Sequence, residues 1–208
     1  MIENASPTGV GYSRLKAGDW KKNALGRHFS HNFGYGLVNA GQFVYAAKHY
    51  KDYLKQHRVC IKDPFHQRNM PVYISDKRAV KINIVYDGHC SEDETIEKQN
   101  ITKPDEVNMI EHVILKVSVK MPNRGDIRIS IVSPSGTQST LMPSRQKDKS
   151  RQPLMLFPLM SAHFWGENPY GVWTVHIGLK IKTRLVILIC EEKIFENHYL
   201  ERWVSDRR

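Results

Sequence analysis

Two hydrophobic rhythms divide the chain. Over residues 37–56, Ala40, Phe43, Val44, Ala47, Tyr50 and Leu54 recur at helical spacing, with Lys48, Lys51, Asp52 and Lys55 on the other side. That period predicts an amphipathic helix whose apolar face packs in a core. Gly34 and Gly36 let the chain bend before it, and Asn39 suits its N-cap. Residues 58–75, with Pro64 and Pro71, read as a linker. From about residue 72 the period falls to two. Val80, Ile82 and Ile84 alternate with polar residues, as do Val113, Leu115, Val117 and Val119, and then Ile127, Ile129 and Ile131. The turn chemistry of residues 122–126 predicts that the last two runs form a hairpin. Ser133-Pro-Ser-Gly136 predicts a reversal with positive φ at Gly136. Asn168-Pro-Tyr-Gly171 leads into a further strand over 172–177, and residues 92–108 form a charged loop. Several short strands between such turns predict a mainly β chain, an antiparallel sandwich or jelly roll, with Trp165 and Trp173 as bulky core residues.

The chain has 208 residues and a formal net charge of +10. Its mean hydropathy is −0.49, and its longest greasy stretch, residues 185–190, suits a buried strand rather than a membrane span. The first residues have neither the basic nor the apolar region of a signal peptide. The positive charge is scattered, with one dense stretch at 145–151. No recognition helix or aromatic stacking platform accompanies it, so nucleic acid is not expected as a partner. Cys60, Cys90 and Cys190 form no CxxC pair, and the ten histidines show no metal-ligand spacing. Asn4 and Asn100 begin sequons, sites of glycosylation only in a luminal chain. Arg124-Gly125-Asp126 is a candidate adhesion turn, although a tight turn is its first job.

Phe33-Gly-Tyr-Gly-Leu-Val-Asn-Ala40 opening into its helix resembles the closing helix of a subtilisin-like protease domain of the kexin/furin proprotein convertases. Arg124-Gly-Asp-Ile127, Ser133-Pro-Ser-Gly-Thr-Gln-Ser-Thr-Leu141 and His163-Phe-Trp-Gly-Glu-Asn-Pro-Tyr-Gly-Val-Trp173 then resemble, in order and spacing, the P domain (Homo B) of that family. The resemblance covers roughly residues 18 to 177. It implies three regions: 1–57 as the C-terminal remnant of a subtilisin-like domain, 58–178 as the P domain, and 179–208 as a divergent tail. Residues 185–189 either replace the family's last strand or belong to foreign sequence.

The resemblance further implies an eight-stranded jelly roll that stabilises a catalytic domain in cis. The intact relative would be a secretory-pathway, calcium-dependent serine endopeptidase that processes precursor proteins at paired basic residues. It also implies a Cys60–Cys90 disulfide in an oxidising compartment, contributing on the order of 3–4 kcal/mol. The expectation is that the protease block lies upstream of this sequence. No Asp-Ser-Gly, His-Gly-Thr or Gly-Thr-Ser-Ala block occurs in it, so no catalytic residue, cofactor site or metal site is assigned. Gly136-Thr-Gln-Ser139 only faintly matches a nucleophile motif and reads as structural, as does His163. A stand-alone extracellular β-sandwich binding or adhesion module is the alternative.

Overall fold

The computed structural model describes residues 5–6, 20–49, 59–60, 72–74, 80–87, 107, 109–179, 185–188 and 195–196. Its internal contacts divide the chain into two units. One comprises Met1–Gln56 with Tyr199–Arg208, and the other His57–His198.

In the first unit, β1 (Ala5–Ser6) pairs antiparallel with β4 (Leu37–Val38), and β2 (Lys21–Lys22) with β3 (His28–Phe29). The side-chain oxygen of Asn23 closes the β2–β3 turn by accepting the amides of Leu25 and Arg27. Helix α1 (Ala40–His49) begins as its sequence predicts, with Asn39 Oδ1 accepting the Gln42 amide at 3.0 Å. Residues 50–56, the rest of the expected helix, lie outside the described residues. No residue of α1 is buried, and Val44 and Tyr45 are exposed.

The second unit is an antiparallel β-sandwich. One sheet runs β10 (Gln138–Met142), β9 (Ile127–Val132), β12 (Gly171–Leu179) and β7 (Val80–Tyr86). The other runs β5 (Val59–Cys60), β14 (Phe195–Glu196), β8 (His112–Lys120), β13 (Leu185–Leu188) and β6 (Val72–Ile74), with β11 (Leu154–Ser161) also paired to β8. Val119 is opposite both Leu154 and Ile187, which puts β11 and β13 on opposite edges of β8.

The period-two runs form strands because every second side chain enters one shared core. Ile82, Ile84, Ile127, Ile129, Ile131, Trp173, Val175 and Ile177 line it from one sheet, and Val113, Leu115, Val117, Val119, Leu154 and Leu159 from the other. Trp173 is fully buried, packs edge-on against Phe164 at 5.1 Å, and donates its indole N–H to the Pro169 carbonyl at 2.8 Å. Trp165, the second expected core residue, is only half-buried.

Two sequence expectations change. β8 and β9 are not a hairpin, because β8 belongs to one sheet and β9 to the other. Residues 121–126 instead carry the chain between layers, through a 3-10 turn at Arg124–Asp126. A corner between sheets and a hairpin use the same turn residues, so composition does not separate them. Residues 58–75, read as a linker, contribute the edge strands β5 and β6.

The alternation predicts a sharp contrast between neighbours. Trp173→Ala should cost about 3–5 kcal/mol. Val172→Ala, one residue away on the exposed face, should cost under about 0.5 kcal/mol. Urea denaturation of the two variants checks this, and equal losses would contradict the assigned face.

Candidate functional site

The most buried polar chemistry gathers at the β9–β10 turn. Gly136 adopts a φ of +91°, as its place in the reversal predicts, and its amide donates to the Ser133 carbonyl at 2.9 Å. Beneath this turn lies Glu167, 1% exposed. Ser133 Oγ donates to one of its carboxyl oxygens at 2.7 Å, and Thr137 Oγ1 donates to the other. Ser133 Oγ also accepts the Thr137 amide at 3.1 Å. The backbone of Glu167 is tied as well, its carbonyl accepting the Ile110 amide at 3.0 Å. A buried carboxyl group is expensive unless its oxygens are hydrogen-bonded, and here each has a hydroxyl donor.

Next to it sits a serine–histidine pair. Ser139 Oγ lies 2.8 Å from His163 Nδ1 and 2.9 Å from Ser161 Oγ, which also accepts the His163 amide at 3.2 Å. A nucleophilic serine needs a histidine at this distance, but it also needs to meet its substrate. Ser139 is 0% exposed, so its hydroxyl is a buried tie between β10 and the 161–163 segment. That agrees with the structural reading of Ser139 and His163.

The Arg124-Gly125-Asp126 turn is a second anchor, at the crossing between sheets. Arg124 Nε donates to Asp148 Oδ2 at 2.9 Å, and Arg145 Nη2 donates to the same oxygen at 3.1 Å. Backbone bonds run alongside, from the Arg124 amide to Ser150 O, the Gly125 amide to Asp148 O, and the Arg145 amide to Gly125 O. A Cβ on Gly125 would come within 2.0 Å of Arg145 O, so only glycine fits there. The turn-making job expected of this tripeptide is what the geometry describes: Asp126 is 4% exposed and Arg124 is engaged by Asp148.

Cys60 lies in β5, but Cys90 and Asn100 lie outside the described residues. Among the described residues, no three His, Cys, Asp or Glu side chains gather as metal ligands. Glu167 and Asp148 are the anchors that sequence reasoning did not single out. The serine, threonine and glycine around the one, and the arginines around the other, were the only local signals.

Residues 110–186 match the family model of the proprotein convertase P-domain. The match starts just before β8, runs through β12 and ends inside β13, and so contains both anchors and the Ser139–His163 tie. Residues 110–186 are proprotein convertase P-domain sequence. The chain is 33% identical over 177 residues to Furin-like protease 1, isoform 1-CRR, of Drosophila melanogaster, covering 85% of this chain and 14% of that protein. It is 35% identical over 183 residues to Proprotein convertase subtilisin/kexin type 5 of Branchiostoma californiense, covering 85% of this chain and 10% of that protein. To human Proprotein convertase subtilisin/kexin type 6 it is 35% identical over 171 residues, covering 79% of this chain and 16% of that protein. The chain thus spans 10–16% of the length of these relatives. Among solved structures, a serine protease of Aeromonas sobria aligns at 20% identity with a TM-score of 0.45, over 85% of this chain and 32% of that one.

The P domain's ionic anchor should be visible in its pH dependence. Hydrogen bonds from Arg124, then from Arg145 and the Ser150 amide, hold the Asp148 carboxyl down to about 2 from its ordinary 3.8. A carboxyl lowered on folding contributes stability that is complete above its unfolded value and is lost as pH falls through its folded value. Urea midpoints should therefore fall between about pH 4 and 2, and Asp148→Asn should flatten that part of the curve. An unchanged acid limb in the variant would contradict the assignment.

Proposed function

We propose that this P domain stabilises a subtilisin-like catalytic domain joined to it in cis, within a secretory-pathway proprotein convertase. In this reading the catalytic partner is a calcium-dependent serine endopeptidase that cleaves precursor proteins at paired basic residues. The P domain supplies none of that chemistry. It contributes a rigid, internally tied body. Residues 1–57 are then the last part of the catalytic domain, and 58–178 the P domain, with the family match reaching to residue 186.

The observation that carries the reading is the extent of the match. The 177 residues aligned with the Drosophila furin-like protease are more than 57–198 can hold, so the likeness takes in part of the N-terminal unit as well. The surface of that unit supports it. α1 has no buried residue, and Leu37, Val44 and Tyr45 are 58%, 51% and 66% exposed, as befits a segment built to pack against more protein. The luminal setting goes with the Asn100 sequon and a Cys60–Cys90 bridge. No helix among the described residues is long and apolar enough to cross a membrane.

A chimera tests the proposal. The matching segment of the Drosophila furin-like protease is replaced by this chain and expressed in secretory cells, with cleavage of a dibasic fluorogenic peptide as the readout. The chimera should be secreted and should cleave the peptide at least about tenfold faster than an enzyme lacking the segment. This chain alone should show no turnover, and peptide mapping of the secreted product should find Cys60 linked to Cys90. A chimera no better than the deletion would contradict the stabilising role.

A further inference from the structure

Basic residues occupy every second position from 145 to 151: Arg145, Lys147, Lys149 and Arg151. Between the last three of these, Asp148 and Ser150 turn inward. Asp148 takes both Arg124 and Arg145, the Ser150 carbonyl accepts the Arg124 amide at 2.9 Å, and the Ser150 amide donates to Asp148 Oδ1 at 3.2 Å. Lys147, Lys149 and Arg151 are left exposed, and none makes an ion pair or hydrogen bond among the described residues.

The backbone beneath them is fixed. Bonds from the Gly125 amide to Asp148 O at 3.0 Å and from the Arg145 amide to Gly125 O at 2.7 Å hold it to the Arg124–Asp126 turn, and the Asp148 amide closes on Arg145 O at 3.0 Å within the loop. The Gln152 amide bonds to Ser150 Oγ at 3.2 Å and fixes the far end. Asp148, the carboxylate within this stretch, is already shared by two guanidinium groups. A ligand would therefore meet three unpaired cations on a preformed frame, and less ordering entropy would be lost on binding.

The residue types narrow the ligand. Residues 143–153 contain no aromatic side chain, so they offer nothing for a nucleic-acid base to stack on. They contain no large aliphatic side chain to enter a lipid surface either. What remains is a linear polyanion whose charged oxygens meet spaced cations and release their counterions. We propose that the loop at residues 145–151 docks a sulfated polysaccharide, with Lys147, Lys149 and Arg151 on its sulfate groups.

Binding of the full chain to heparin, titrated across sodium chloride concentration, tests this. Heparin should bind at physiological salt. Replacing all three loop cations (K147Q, K149Q and R151Q) should weaken it by about tenfold or more and reduce the slope of log affinity against log salt by about two to three. A control with equal charge loss on exposed residues elsewhere (K21Q, K22Q and K81Q) should change affinity by less than about twofold. The thermal melt of the loop variant should match the parent, because these side chains hold nothing. Equal weakening by both triples, loss of binding at physiological salt, equal binding of fully desulfated heparin, or equally tight binding of a single-stranded DNA of matched charge would each overturn the proposal.

Discussion

Glu167 is where the two layers of the sandwich are fastened together. Its carboxyl group reaches the Ser133 and Thr137 hydroxyls in the turn that joins β9 to β10, in one sheet. Its carbonyl takes the amide of Ile110, and the Gly166 amide donates back to the Ile110 carbonyl, just before β8 of the other sheet. The same loop goes on to Pro169, whose carbonyl holds the Trp173 indole in the core. Inside a protein such a group either has its full set of partners or costs several kcal/mol. The turn, the loop and the tryptophan are therefore constrained as one unit. The burial of isoleucines and valines sets which face of each strand points inward, and the carboxyl group adds directional ties between the turn and the loop.

Much of the sandwich was legible because a half-buried strand imprints its period on the sequence. Ile127, Ile129 and Ile131, and Val113 through Val119 at every second residue, announce their strands directly. Gly136 and Asn39 announced their turn and their cap for equally local reasons. Strand pairing was not legible. Residues 121–126 contain turn residues whether the chain doubles back or crosses to the other layer, and the crossing is decided by contacts with residues 145–150, distant in sequence. β5 and β6 were missed because two or three residues cannot display a period.

The candidate chemistry was legible in kind more than in role. Ser139 and His163 stand in motifs that carry the family likeness, and the structure joins them within hydrogen-bond reach. Their burial turns what could be catalytic partners into a tie between strand and loop. Arg124-Gly125-Asp126 read first as a turn, and the structure adds the steric and ionic lock around Asp148 that no local pattern announces. Acidic residues such as Glu167 and Asp148 resemble ordinary surface carboxylates in a sequence, because nothing local marks which hydroxyls or guanidinium groups will surround them. The P domain that results is tied at its turns by side chains whose partners lie far away in sequence.

A thermodynamic double-mutant cycle between Glu167 and Thr137 tests the fastening role most directly. Glu167→Gln, Thr137→Val and the double variant would be compared by urea denaturation at neutral pH. Each single change should destabilise the sandwich, and the pair should show a coupling of about 1–3 kcal/mol, because removing one partner strands the other in the interior. Additive losses, with no coupling beyond about 0.5 kcal/mol, would show that the carboxyl group does not hold the turn.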